Sequence, residues 1–91
     1  MPTPTDALLD ERGKTHGDFV EHAFITQELK RVMVNAKPGY EGLNDVQKEA
    51  LEMIAHKIGR ILAGNPNHAD HWDDIAGYAR LVSQRLPKPT E

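Results

Sequence analysis

Cysteine is absent from all 91 residues, which removes disulfides, thiolate metal sites and thiol catalysis together. Aromatic residues are scarce, with two Phe, two Tyr and one Trp, so any core is modest. No stretch approaches the roughly 20 apolar residues that span a bilayer. The start, MPTPTDALLDERGK, lacks the basic opening and apolar run of a signal peptide. The chain is therefore expected to be soluble and cytoplasmic, with no membrane partner. Excess positive charge is also lacking. The net charge is −3 and the pI about 5.9, so no global field favours nucleic acid, and no nucleic-acid partner is expected.

Strand signals are nearly absent, because β-branched residues never alternate with polar ones over a useful length. Glycine and proline gather at a few points: Gly13 and Gly17, then Pro38, Gly39 and Gly42, then Gly64-Asn65-Pro66-Asn67. They punctuate the chain into helices. A short helical turn is expected around 6–11 and a first long helix over 18–34, capped by Thr15. Its apolar side would be Phe19, Ala23, Phe24, Leu29, Val32 and Met33.

The second long helix, 45–63, has the clearest limits. Asn44 and Gln47 form a capping box, and Gly64 closes the far end. Ala50, Leu51, Ile54, Ala55, Ile58, Ile61 and Leu62 form one apolar arc. Glu49, Glu52, His56 and Arg60 lie opposite, with Lys57 at the margin. A third helix is expected over 68–86, with an apolar stripe of Trp72, Ile75, Ala76, Ala79, Val82 and Leu86. The short turn 64–67 forces these last two helices into an antiparallel hairpin that sets His56 level with Asp74. The expected fold is thus all-α, a small helical bundle containing an antiparallel hairpin. So little apolar volume in one chain predicts completion by homo-oligomerisation.

Carboxylates carry the main chemical signal. Asp70 and Asp74 stand one turn apart on one helix, and Glu49 and Glu52 stand similarly on the one before. Two antiparallel helices offering such pairs could enclose Mg²⁺ or Mn²⁺, which prefer oxygen ligands. The alternative is a solvated acidic face, with the Asp residues at a helix start favoured by the dipole alone. Lys57 and Arg60 could hold phosphate oxygens, or could simply form ion pairs such as Glu52 with Lys57 and Arg60 with Asp70.

Gly59 and Gly77 each cost a helix about 1 kcal/mol relative to Ala, so each is expected to permit close approach by a helix or ligand. Among the histidines, His22 and His68 are expected at the surface or behind a site, and His56 and His71 near the groove. His16 falls at an expected helix start, where amides can receive an anion. There is no Gly-rich phosphate loop and no nucleophile elbow. The acidic start of the last helix disfavours DNA reading.

The spacing Glu49-x-x-Glu52, followed after 18 residues by His71-x-x-Asp74, resembles the all-α nucleoside triphosphate pyrophosphohydrolases, the MazG-like superfamily. Lys57-x-x-Arg60 and Asp70-x-x-x-Asp74-Ile-Ala-Gly-Tyr78-Ala79 are similar to small phage and prophage relatives in nucleotide metabolism. Glu11-Arg12-Gly13-Lys14-Thr15-His16-Gly17-Asp18 resembles an upstream element of theirs, with His16 in place of an aromatic residue. His71 stands where the broader superfamily carries a glutamate, so Asp70 would supply that ligand instead.

The resemblance implies an Mg²⁺-dependent (or Mn²⁺-dependent) nucleotide pyrophosphohydrolase acting as a homo-oligomer. Glu49, Glu52, Asp70 and Asp74 would hold the metal, with Glu49, Glu52 and Asp74 serving catalysis. Lys57 and Arg60 would neutralise triphosphate charge, while His16, Tyr78 and Trp72 are candidates for contacts to the rest of the nucleotide. The rival readings are a nucleotide-binding or sequestering protein without catalysis, and a helical interaction module.

Overall fold

The computed structural model describes residues 3–88, and for 11–16 the backbone alone. It is all-helical: α1 Pro4–His16, α2 Phe19–Asn35, α3 Asp45–Ala63 and α4 Ala69–Ser83. No strand occurs among the described residues.

Local chemistry explains most of the boundaries. Thr3 and Asp6 cap α1 reciprocally, backbone amide to side-chain oxygen at 3.1 Å each way, and Pro4 occupies the first turn, where its missing N–H costs nothing. The helix runs past the turn expected at 6–11 and absorbs Gly13. Asp18, not Thr15, caps α2, its carboxylate accepting from the Val20 amide. The expected capping box of Asn44 and Gln47 is present at α3, and Gly64 ends that helix, donating its N–H to the Arg60 carbonyl. α4 stops at Ser83, three residues earlier than its apolar stripe predicts. Arg85 Nη1 and Lys88 Nζ there donate to the carbonyls of Leu81 and Ser83.

α3 is the central element. α2 and α4 run antiparallel to it on either flank, and α2 makes no backbone approach to α4. α1 joins α2 through Gly17, whose φ of +82° admits few residues other than glycine. A Cβ there would lie 1.9 Å from the Ala63 carbonyl oxygen, so the α1–α2 corner rests directly on the last turn of α3.

The outcome is a row of helices one layer deep. It measures 61 × 29 × 20 Å with a radius of gyration of 16.1 Å, where a globule of this length would have about 12 Å. Ala50, Ala55 and Ile61 are the buried apolar residues among those described.

α2 departs from its expected orientation. It turns His22 and Thr26 toward α3, both 5% exposed, and leaves Phe19, Phe24 and Val32 in the open. The reason lies on α3. Gly59 presents bare backbone, and a Cβ there would sit 2.6 Å from both His22 Cδ2 and Thr26 Oγ1. The close approach expected at Gly59 is therefore made by α2. Gly77 differs: a Cβ there would meet nothing within 4 Å, so it admits no neighbouring helix.

Candidate functional site

One broad side of the row is polar. At 100° per residue, His56, Glu49 and Arg60 fall within a 40° arc of α3, and inter-helix ion pairs line the same side. Lys57 Nζ lies 2.7 Å from Asp74 Oδ2, joining α3 to α4. Lys30 Nζ lies 3.9 Å from Glu52 Oε1, joining α2 to α3. These pairs replace the expected Glu52–Lys57 and Arg60–Asp70 pairs. Antiparallel packing brings a partner helix nearer to each charge than the next turn of its own.

The carboxylates consequently part company. Glu52 turns toward α2, and Asp74 is held by Lys57. Asp70 is exposed, 3.6 Å from His68 Nε2. Glu49 lies in a shallow groove of about 360 Å³ with Val46, Tyr78, Leu81 and Arg85. Among the described residues, no group of three or more Asp, Glu or His side chains is placed to hold a metal ion. Glu49, Glu52, Asp70 and Asp74 thus stand apart within this chain rather than at one point.

Lys57, expected at the margin of a phosphate groove, is 8% exposed, its ammonium engaged by Asp74. That ammonium, hydrogen-bonded to Asp74, holds the carboxyl below the usual Asp range. Tyr78 is half-buried at the groove. Trp72 is half-exposed at the turn end of α4, its indole N–H donating to the Pro66 carbonyl at 2.8 Å. His16 ends α1 rather than opening α2, and its side chain lies outside the described residues. His71 is 1% exposed, against the ring of His68 at 4.7 Å.

Arg60 behaves differently from Lys57. Among the described residues no carboxylate pairs with it, and its buried Nε has no hydrogen-bond partner. Beside it the rings of His22 and His56 meet at 4.4 Å between centroids, and Phe19 packs edge-on to His22 at 6.2 Å. Burial lowers the proton affinity of both histidines, and the Arg60 charge lowers it further; His56 falls to about 4. His22 Nε2 and Thr26 Oγ1 are buried without partners against the Gly59 backbone.

The seam between α2 and α3 near the α3 C-terminus thus holds one guanidinium, Arg60, beside two histidines that burial and its charge keep neutral. The sequence placed His22 at the surface or behind a site, counted Phe19 on the apolar side of the first long helix, and gave no sign of Thr26. The only local signal was Gly59, a helix-interior glycine that marks where a partner helix must touch.

Residues 2–86 match the family model described as a domain of unknown function (DUF6378). The chain belongs to that family. No curated protein and no solved structure matches it. Among the described residues, no helix is long and apolar enough to cross a membrane.

Proposed function

We propose that this protein binds a nucleotide through its phosphates, with Arg60 as the principal contact. One observation carries the reading. Among the described residues Arg60 is a guanidinium without a carboxylate partner, beside two histidines whose proton affinity burial lowers first and the Arg60 charge lowers further. Guanidinium presents donors in a fork that matches phosphate oxygens, and it keeps its charge at any working pH. Phe19, 76% exposed beside His22, offers a flat apolar surface for a base. Lys57 contributes field rather than a direct contact, since Asp74 holds its ammonium. Binding is favoured over metal-dependent pyrophosphate hydrolysis because the carboxylates stand apart in this chain.

Titration calorimetry with a panel of ribo- and deoxynucleoside triphosphates tests this reading. Arg60→Ala is expected to weaken binding at least ~10-fold, the cost of one charge-assisted contact worth about 1.5–3 kcal/mol. Arg60→Ala binding as tightly as the natural chain overturns it. Chromatography of the mixtures separates the two chemistries. Intact triphosphate recovered with Mg²⁺ or Mn²⁺ present supports a binder, and monophosphate with pyrophosphate restores the Mg²⁺-dependent pyrophosphohydrolase reading.

We also propose that the chain works as a homo-oligomer. A row of helices one layer deep leaves most of its large apolar side chains in water, thirteen of them exposed among the described residues. A second copy supplies the missing layer.

A further inference from the structure

The side of the row opposite Arg60 is largely apolar, most of all along α3 and α4. On α3, Leu51, Ile58 and Leu62 fall within a 40° arc, diametrically opposed to the arc of Glu49, His56 and Arg60. The two ion pairs orient the flanking helices about this axis. With Lys30 and Asp74 on the polar side, the 100° rule brings Val32 of α2 and Trp72 and Ile75 of α4 to the other side. Leu62 is 64% exposed, Val32 69% and Trp72 54%. No charged residue of α3 or α4 falls among them on the helical wheels, whereas on α2 Glu21 and Glu28 flank Val32, 20° and 40° from it. The outer edge of α2 is also apolar, at Val20 and Phe24, but there the Arg31–Glu28 ion pair interrupts it.

We propose that this apolar face is where a second copy of the chain docks, layer against layer, leaving the two Arg60 sides pointing outward in opposite directions. The inference deepens the homo-oligomer reading above and rests on it, but it is independent of the nucleotide reading. Dimensions suit the occupant. A stable interface of standard size buries about 800 Å² per partner, and three helices side by side, each about 10 Å wide and α3 about 28 Å long over its 19 residues, offer a face of that order. α2 and α4 lie on opposite flanks of α3 without approaching each other, so neither crosses this face. An identical face meets the need by isologous packing, apolar against apolar along α3 and α4. Each polar side then remains accessible, giving one anion site per chain.

The experiment is sedimentation over micromolar concentrations on the natural chain and three variants, each checked for helicity by circular dichroism. The natural chain is expected at twice its 10.2 kDa mass, or a higher multiple. Leu62→Glu and Val32→Glu each place a carboxylate in the contact without disturbing the single chain, since both sites are already exposed. Each is expected to weaken association at least ~10-fold, through the cost of burying an unpaired charge. Phe24→Glu, on the outer edge of α2, is expected to leave association unchanged. A monomeric natural chain overturns both the oligomer reading and the docking face. An oligomer indifferent to Leu62→Glu and Val32→Glu, or dissociated by Phe24→Glu, overturns the docking face alone. Triphosphate binding retained by dissociated Leu62→Glu supports the separation of the two sides, and its loss overturns that part.

Discussion

His22 lies against the bare backbone of Gly59, so close that a single added carbon would fall 2.6 Å from its ring. This contact seats α2 on α3 and turns the histidine, rather than the phenylalanines, inward. It also brings His22 against His56 and both under the charge of Arg60.

The two helix-interior glycines should respond oppositely to alanine. Gly77→Ala meets open space and should raise stability by about 1 kcal/mol, the helix-propensity difference. Gly59→Ala gains the same propensity but forces apart a packed seam, at about 1–3 kcal/mol for overpacking. Its net effect should be loss of stability. Thermal or urea denaturation of the pair checks this, and stabilisation by Gly59→Ala would show that the seam is loose.

Acid should weaken the fold through the histidines. His22 and His56 bind protons less readily folded than unfolded, with burial the largest cause and the Arg60 charge next. The unfolded chain takes up protons near pH 6.5, whereas folded His56 does so only near 4. Stability is therefore full above about pH 6.5 and falls as pH drops toward 4. Melting temperature against pH should decline across that window, and His56→Gln should flatten the decline. An unchanged slope in His56→Gln would remove the histidine seam as its cause.

The Lys57–Asp74 pair is asymmetric, because the lysine is buried and the aspartate faces water. Asp74→Asn strands a buried ammonium, whereas Lys57→Met leaves a carboxylate that water can solvate. Asp74→Asn should therefore lower the melting temperature more than Lys57→Met does. The Asp74 carboxyl titrates below its usual range. Its contribution is present above the ordinary Asp value and lost as pH falls through the lowered one, beneath the histidine window.

Gly17→Ala should destabilise by at least ~2 kcal/mol, combining an unfavourable positive φ with a backbone collision at Ala63. Loss of the α1–α2 corner should appear as faster proteolysis within 4–16, ahead of global unfolding. Equal protection of α1 in this variant would mean that the corner does not hold it.

The all-α fold, the limits of α3, the hairpin and the opposed faces of α3 were legible in the sequence. Capping boxes, helix-ending glycines and a 100° period act through neighbours within a turn or two, so a single segment contains them. The Asn44–Gln47 box at α3 is the clearest case.

The orientation of α2 was different. Phe19, Ala23, Phe24, Leu29, Val32 and Met33 looked like its buried side, yet a helix with apolar residues on several faces has no unique inner one. The Gly59 notch on another helix decided which side went in. The same holds for the charges. Glu49, Glu52, Asp70 and Asp74 share the right spacing within each helix, but spacing does not say which cation stands across the seam. Lys30 and Lys57 took two of them because antiparallel packing put those ammonium groups within reach. Among the described residues Arg60 was left without an acid for the same reason: side-chain pairing across helices depends on rotation and depth of packing, and only the tertiary structure sets those.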